Sequence, residues 1–279
     1  MKKLFDKDNI VCSYSVTMSH NVNNMKKPYY KINSVEKTIK ILELLAEKGE
    51  LSVAEAASTL GMNRSTCHRF LVTLRELGYV VQNTHSHYRL SFRIFELGNK
   101  VANSLQVRQI THPYLKELSN IFNETINLGY WDNNEIIHLD KIDSSEILRI
   151  DPGIGSRIPA YCTGLGKAIL AFLPDEDLSN FLKSVPLKAM TPNTITNKGN
   201  LLNELEKIRR QGFATDREEL CIGLSCVASP VFDYTNYPSY SVSVAGPLSR
   251  MNKEKITVIK EEIRRVCREV SNNLGQMQS

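Results

Sequence analysis

What the chain lacks narrows its function first. Its six cysteines, Cys12, Cys67, Cys162, Cys221, Cys226 and Cys267, include no C-x-x-C pair and no regular spacing. Reduced thiols in a cytoplasm are therefore expected, with no metal site and no cofactor. No apolar run approaches the roughly 20 residues that span a bilayer, so no membrane partner is expected. The start, MKKLFDKDNIVCSYSV, opens on paired lysines but has neither an uninterrupted apolar core nor a small-residue cleavage site; a secretory signal is not expected. Three motifs of catalytic chemistry are missing as well: the G-x-S-x-G nucleophile elbow, the G-x-x-x-x-G-K-[ST] phosphate loop and the H-E-x-x-H metal helix.

What is present is unevenly charged. The length of 279 residues suits one or two domains, and 42% hydrophobic with 23% charged residues is ordinary for a folded chain with a sizeable core. The formal charge is +5, and all of it sits in front: residues 1–91 hold 13 Lys+Arg against 8 Asp+Glu, whereas residues 92–279 hold 22 of each. Phosphate neutralisation supplies most non-specific affinity for DNA, so a basic front beside a neutral remainder suits a DNA reader joined to a second domain.

The chain is organised around Leu51–Leu77. Val53, Ala54, Ala57 and Leu60 recur at helical spacing, Gly61 breaks the run, and Cys67, Phe70, Leu71, Leu74 and Leu77 start it again. Two short amphipathic helices around a glycine make a helix-turn-helix pattern. Asn63 is a good N-cap for the second. With its apolar stripe inward, Ser65 and Arg69 fall near the outer face, flanked by Arg64, Thr66 and His68; that face has no acid until Glu76. An ordinary globular domain also contains such helices, with solvated arginines. The neighbours favour the DNA reading. Asn33–Lys48 reads as a helix with Val35, Ile39, Leu42 and Leu45 as its core stripe. Tyr79–Ser91 alternates as two strands around Asn83-Thr84-His85-Ser86, a hairpin. Three helices and a hairpin are the order of a winged helix, in which His85, His87, Tyr88 and Arg89 are placed for phosphates, with Thr73 further along the second helix.

Residues 1–27 are rich in Asn, Ser and Lys, and disorder is expected there. Residues 28–92 form the winged helix-turn-helix domain, 93–107 a linker helix (Ile94–Leu105), and 108–275 a second domain. Within the latter, Pro113 stands near the start of a helix running to about Phe122. Strands are expected over Thr125–Trp131, Glu135–Ile142, Glu146–Ile150, Phe213–Asp216, Ser225–Phe232 and Tyr240–Ala245. Helices are expected over Thr163–Leu173, Asp175–Lys183, Leu201–Gln211 and Lys253–Asn273. The fold class is α+β, an antiparallel sheet of five or six strands flanked by helices.

These residues resemble a known family. INSVEK, ILELLAEKGELSVAEAASTLGMNRSTCHRFLVTLRELGYV, YRLSFRIFELG, IPAYCTGLGKAILA, GLSCVASPVFD and SVSVAGP stand in the order and spacing of the IclR family of bacterial transcriptional regulators, over roughly residues 32–274. INSV, FELG, INLGYWD and TITN point to its sugar-acid-sensing, KdgR-like branch. The resemblance implies a GAF-like effector domain, and dimers, sometimes tetramers, on a palindromic operator in double-stranded DNA. One recognition helix reads few base pairs, so a dimer spanning two major grooves about 34 Å apart is the usual remedy.

Chemistry adds an effector site. Thr163-Gly164-Leu165-Gly166 opens a helix, where free amides and the positive dipole end can take a carboxylate; the plain alternative is a small-residue start packed on a strand. By the resemblance, Ile147, Ile150 and Ile158 form the near wall, Thr163, Gly164 and Leu165 the helix start, and Asp216, Leu224, Cys226 and Ser243 the rest. Asp216 would accept from ligand hydroxyls, Cys226 and Ser243 would donate, and the amides would take the acid end. A small hydroxy, keto or sugar acid is the implied effector. Ala245 departs from the family, where a second serine often stands. Asp216 otherwise reads as a solvated acid and Cys226 as a small buried apolar side chain. His138 reads as a satisfied core or edge histidine, and Lys167 as solvent-facing. The chain is expected to be a ligand-responsive regulator, more often a repressor, and not an enzyme. An enzyme with a DNA-binding head, through Cys226 or Cys162 with His138, and an architectural DNA-binding protein are the alternatives.

Overall fold

A computed structural model describes residues 32–147 and 153–276, without the side chains of residues 102–104. The tail expected over residues 1–27 lies outside them. The chain divides into two compact units between Ser104 and Leu105, and each is described by itself.

The front unit begins with α1 (Asn33–Lys48), β1 (Glu50–Leu51), α2 (Val53–Thr59) and α3 (Arg64–Glu76). Ser52 and Glu55 cap α2 reciprocally: Ser52 Oγ accepts from the Glu55 amide at 3.3 Å and Glu55 Oε2 from the Ser52 amide at 2.8 Å. Gly61, at φ +59°, reverses the chain, and Asn63 Oδ1 then accepts from the Ser65 amide at 2.9 Å to start α3. β2 (Val80–Gln82) and β3 (Tyr88–Leu90) form the wing, and α4 (Phe92–Ser104) leaves it. The sheet order is β1-β3-β2, with Leu51 opposite Tyr88 and Val81 opposite Arg89. At the wing's tip Asn83 Oδ1 accepts from the His85 and His87 amides at 2.9 and 3.0 Å.

The core of this unit corrects several faces. Ile41, Leu44 and Leu45 are buried on α1, whereas Val35 and Ile39 are 55% and 48% exposed. Apolar residues circle more than one side of that helix, so spacing alone does not pick the inward one. Tyr88 packs in the core with Cys67, Leu71 and Leu74 and is unavailable to phosphates. Ala56 and Ala57 are buried while Ala54 is exposed, and Leu77 is exposed beyond the end of α3.

The second unit opens with α5 (Gln106–Phe122), which starts seven residues before Pro113 and carries it inside. Proline removes one intrahelical bond; the buried stripe Val107, Thr111, Leu115, Leu118 and Phe122 carries the helix across. β4 (Thr125–Asp132) and β5 (Glu135–Ile142) follow, turning at Asn133 and Asn134, both at positive φ. β6 is Arg157–Pro159. The strand expected over Glu146–Ile150 does not form where the chain is described: Glu146 and Ile147 make a bend, and 148–150 lie outside the described residues. Next come α6 (Gly164–Leu170), α7 (Asp175–Ser184), α8 (Lys198–Gln211), β7 (Ala214–Arg217), β8 (Leu224–Val231), β9 (Tyr240–Pro247) and α9 (Lys253–Asn273).

The six strands run β6-β5-β4-β9-β8-β7, each neighbouring pair antiparallel. Alternation along a strand separates two faces. Ile126, Leu128, Val227, Val242 and Val244 pack with α5 and α9. Ile136 and Ala228 pack on the other side with α6, α7 and α8. That second face positions the candidate effector site.

Candidate nucleic-acid interface and effector site

On α3 the outer face is as open as its spacing requires. Asn63, Arg64, Ser65, His68, Arg69 and Thr73 are exposed and Thr66 is half-buried. Neither Arg64 nor Arg69 pairs with an acid among the described residues. Arg89 is exposed on β3. His87 is half-buried and engaged at the surface: Nδ1 meets the His85 carbonyl at 3.1 Å and Nε2 lies 3.8 Å from Glu55 Oε2. Arg75 is committed to Gln82 Oε1 at 2.7 Å.

In the second unit, Thr163, Gly164, Leu165, Asp216 and Cys226 come together. Asp216 stands opposite Cys226 in the β7–β8 register, and a Cβ built on Gly164 would lie 2.5 Å from Cys226 Sγ and 3.8 Å from Asp216 Cβ. Glycine is therefore required for α6 to lie on β8. The amides expected to take an acid are largely engaged. Gly166 N–H donates to Thr163 Oγ1 at 3.1 Å and Lys167 N–H to the Thr163 carbonyl at 2.9 Å, and the Gly164 backbone packs against the Cys226 sulfur. The start of α6 is a packed joint, not an open anion seat.

Lys167 corrects its expected place. Every residue of α6 is buried, and Lys167 Nζ donates to the Thr215 carbonyl at 2.7 Å and to Glu219 Oε1. Glu219 is pushed up from its ordinary range, burial outweighing the pull of Lys167, and its Oε2 has no partner. The Glu219 amide donates to Asp216 Oδ1 at 2.8 Å. Burial pushes the Asp216 carboxyl up to about 7; the amide bond and Lys167 oppose it, and Glu219 adds to it. Asp216 is a buried acid, not a solvated one. Burial also raises the Cys226 thiol, and raises Cys162 to about 12. Both are protonated at neutral pH and weak as nucleophiles.

Ser243, two strands in, is buried and receives Asn127 Nδ2 at 3.3 Å. Leu224 and Ile158 are half-buried. Ile158 pairs with Ile136 at the sheet edge opposite Asp216. Ile147 is 85% exposed and forms no wall; Ile150 lies outside the described residues. His138 is buried, but its Nδ1 has no partner, and burial lowers its imidazole to about 4. Asn127, Ser241 and Lys167 were not singled out as site residues. The alternation in TINLG and SVSVA, apolar on one side and small or polar on the other, carries the signal for the first two.

A winged helix joined to an α+β domain whose buried sheet face carries an acid and several hydroxyl and amide groups defines a DNA-binding regulator with an effector-binding domain. The chain matches the family model for the bacterial transcriptional regulator IclR C-terminal domain over residues 99–272, and that for the IclR helix-turn-helix domain over residues 34–84. It belongs to the IclR family of transcriptional regulators. It is 35% identical to the HTH-type transcriptional regulator KdgR of Escherichia coli over 245 residues, covering 88% of this chain and 93% of the relative. With KdgR of Dickeya chrysanthemi it shares 33% identity, over 93% of this chain and 86% of the relative. The crystal structure of the Thermotoga maritima IclR superposes with a TM-score of 0.76 at 34% identity, covering 88% of this chain and 100% of that one. No helix among the described residues is long and apolar enough to cross a membrane.

Proposed function

We propose that this chain is a cytoplasmic repressor that binds a palindromic operator as a dimer, or a pair of dimers, and releases it on binding a small hydroxy, keto or sugar acid. The observation that carries the DNA half is the unpaired, outward face of α3 with Arg64, Ser65, His68 and Arg69. Arg89 supports it from the wing; His87, held toward Glu55, contributes less. Self-association is supported by apolar side chains left outside on two helices of the front unit: Val35 and Ile39 on α1, and Phe92, Phe95 and Val101 on α4.

The effector half rests on the α6 face of the sheet. Asp216, poised near pH 7, can accept from a ligand hydroxyl or donate to a carboxylate, and Ser243 lies on the same face. The Gly164–Cys226 joint is tight, so an acid enters by parting α6 from the sheet. That displacement is the signal, because a ligand regulates only by preferring one of two arrangements. Sensing fits better than catalysis, since burial and the neighbouring Asp216 both push the Cys162 and Cys226 thiols up and keep them protonated.

Thermal-shift screening of the purified protein against an acid library tests this reading, because a ligand that prefers the native state raises its apparent stability. A sugar or keto acid should raise Tm, and Asp216→Ala should lose the shift while still binding operator DNA. No shift across sugar acids, pyruvate, glyoxylate and aromatic acids would contradict the sensor role.

A further inference from the structure

The wing of the front unit is tied to its neighbours by side chains of different chemistry. Arg75 on α3 donates to Gln82 Oε1 on β2 at 2.7 Å. At the tip, Asn83 Nδ2 donates to Glu50 Oε1 on β1. His87, just before β3, is held between two acceptors: the His85 carbonyl, 3.1 Å from Nδ1, and the Glu55 carboxylate of α2, 3.8 Å from Nε2. Guanidinium, amide and carboxylate groups ordinarily keep one charge state across neutral pH, whereas imidazole does not. Of these ties, only the one through His87 changes its chemistry near pH 7.

Both acceptors ask for a proton. A carbonyl and a carboxylate can only accept, and a neutral imidazole carries a single N–H. When Nδ1 donates to His85, Nε2 turns a lone pair toward Glu55. The imidazolium gives each nitrogen a proton to offer. Glu55 is fixed in place for this contact. Its Oε2 accepts from the Ser52 amide at 2.8 Å and from Ser52 Oγ at 2.7 Å. Those bonds hold the Glu55 carboxyl below its ordinary range, and His87 adds to the pull, so a carboxylate is present at neutral pH.

We propose that His87 and Glu55 form a proton-dependent latch that positions the wing for DNA: the protonated pair fixes the hairpin, and loss of the proton frees it. His87 is then a positioning residue, felt through Arg89 on the strand that follows it. The inference rests on the wing's part in the DNA reading above and adds what regulates that part. The charges around His87 leave the pair its own. Glu50 of β1 stands opposite Arg89 in register, and His85 meets His87 through its backbone carbonyl. On α1, which also packs on β3, Lys40 and Lys48 pair with Glu36 and Glu47. An exposed ion pair is weak, so the latch grades affinity and does not gate it.

Fluorescence anisotropy of the full chain on labelled DNA from its own control region tests this between pH 6 and 8, at fixed ionic strength. From pH 8 to pH 6, wild-type affinity should tighten about three- to fivefold more than that of His87→Gln. Glu55→Gln keeps the cap on α2, since glutamine serves at that position, and should lose the same part of the pH response. The double variant should lose no more than either single one. Overturning results are a wild type indifferent to pH, a full response in His87→Gln, and losses that add in the double variant. A response lost in His87→Gln but kept in Glu55→Gln also overturns the latch, and makes His87 a direct phosphate contact. Arg89→Ala separates the two readings. Unchanged affinity there sinks the wing's part in DNA binding, whereas a loss without any His87-dependent response sinks the latch alone.

Discussion

Lys167 and Glu219 face each other in a site where neither charge is affordable alone. Removing one partner of a buried pair leaves the other uncompensated, which typically costs about 3–5 kcal/mol. Lys167→Met should therefore lower urea-unfolding stability by that order, and Lys167→Met with Glu219→Gln should recover part of it. An unchanged midpoint in the single variant would show that the pair does not hold α6. Two neighbouring groups predict a pH profile. His138 has a folded pKa of about 4, below the 6.5 of the unfolded chain, so its burial costs stability as pH falls from 6.5 toward 4. Asp216 has a folded pKa of about 7, above its unfolded 3.8, so the folded state keeps a proton that the unfolded chain has lost. Its contribution is lost as pH rises from 3.8 to 7. The two slopes oppose each other between 4 and 6.5. Asp216→Asn should expose the His138 slope, with stability rising toward neutral pH by up to about 1.4 kcal/mol per unit. A profile identical to wild type would contradict the Asp216 assignment, and a flat profile between pH 4 and 6.5 in Asp216→Asn would contradict that of His138.

At the scale of elements, α3 and α6 make opposite demands on their outer residues. α3 must keep one face empty, and Arg69→Ala should cost roughly 1–3 kcal/mol of operator affinity if Arg69 pairs with a base; unchanged affinity would refute its facing role. α6 must bury everything, and Gly164→Ala should destabilise by about 1–3 kcal/mol through overpacking against Cys226. Adding Cys226→Ala should relieve that strain. Most elements were legible because caps and breakers mark their ends: Asn33–Lys48, Glu135–Ile142 and Lys253–Asn273 form over the residues expected. What failed was the choice of face. Lys167 reads as a surface residue because a seven-residue helix buried on every side leaves no polar stripe, and Val35 and Ile39 read as core because an outward apolar stripe has the same period as an inward one. The candidate site was partly visible. Asp216 and Cys226 were found through the family pattern, Ile147 was not where expected, and Asn127 and Ser241 were hidden in strands that look like ordinary core.

For the whole molecule, the proposed function couples a basic front unit to an electrically balanced second unit through pairing of subunits. If the apolar stripes on α1 and α4 meet a second copy, Phe95→Glu should shift the protein toward monomer in sedimentation and cut operator affinity, since a single recognition helix reads only a few base pairs. A variant still dimeric would place the interface elsewhere. The most direct test of the central claim is one anisotropy titration: labelled DNA from the protein's own control region, bound with and without the acid that gives the largest thermal shift. The account predicts specific binding that weakens by tenfold or more, about 1.4 kcal/mol, when the acid is added, in wild type and not in Asp216→Ala. Operator affinity indifferent to every acid that binds the protein would contradict it.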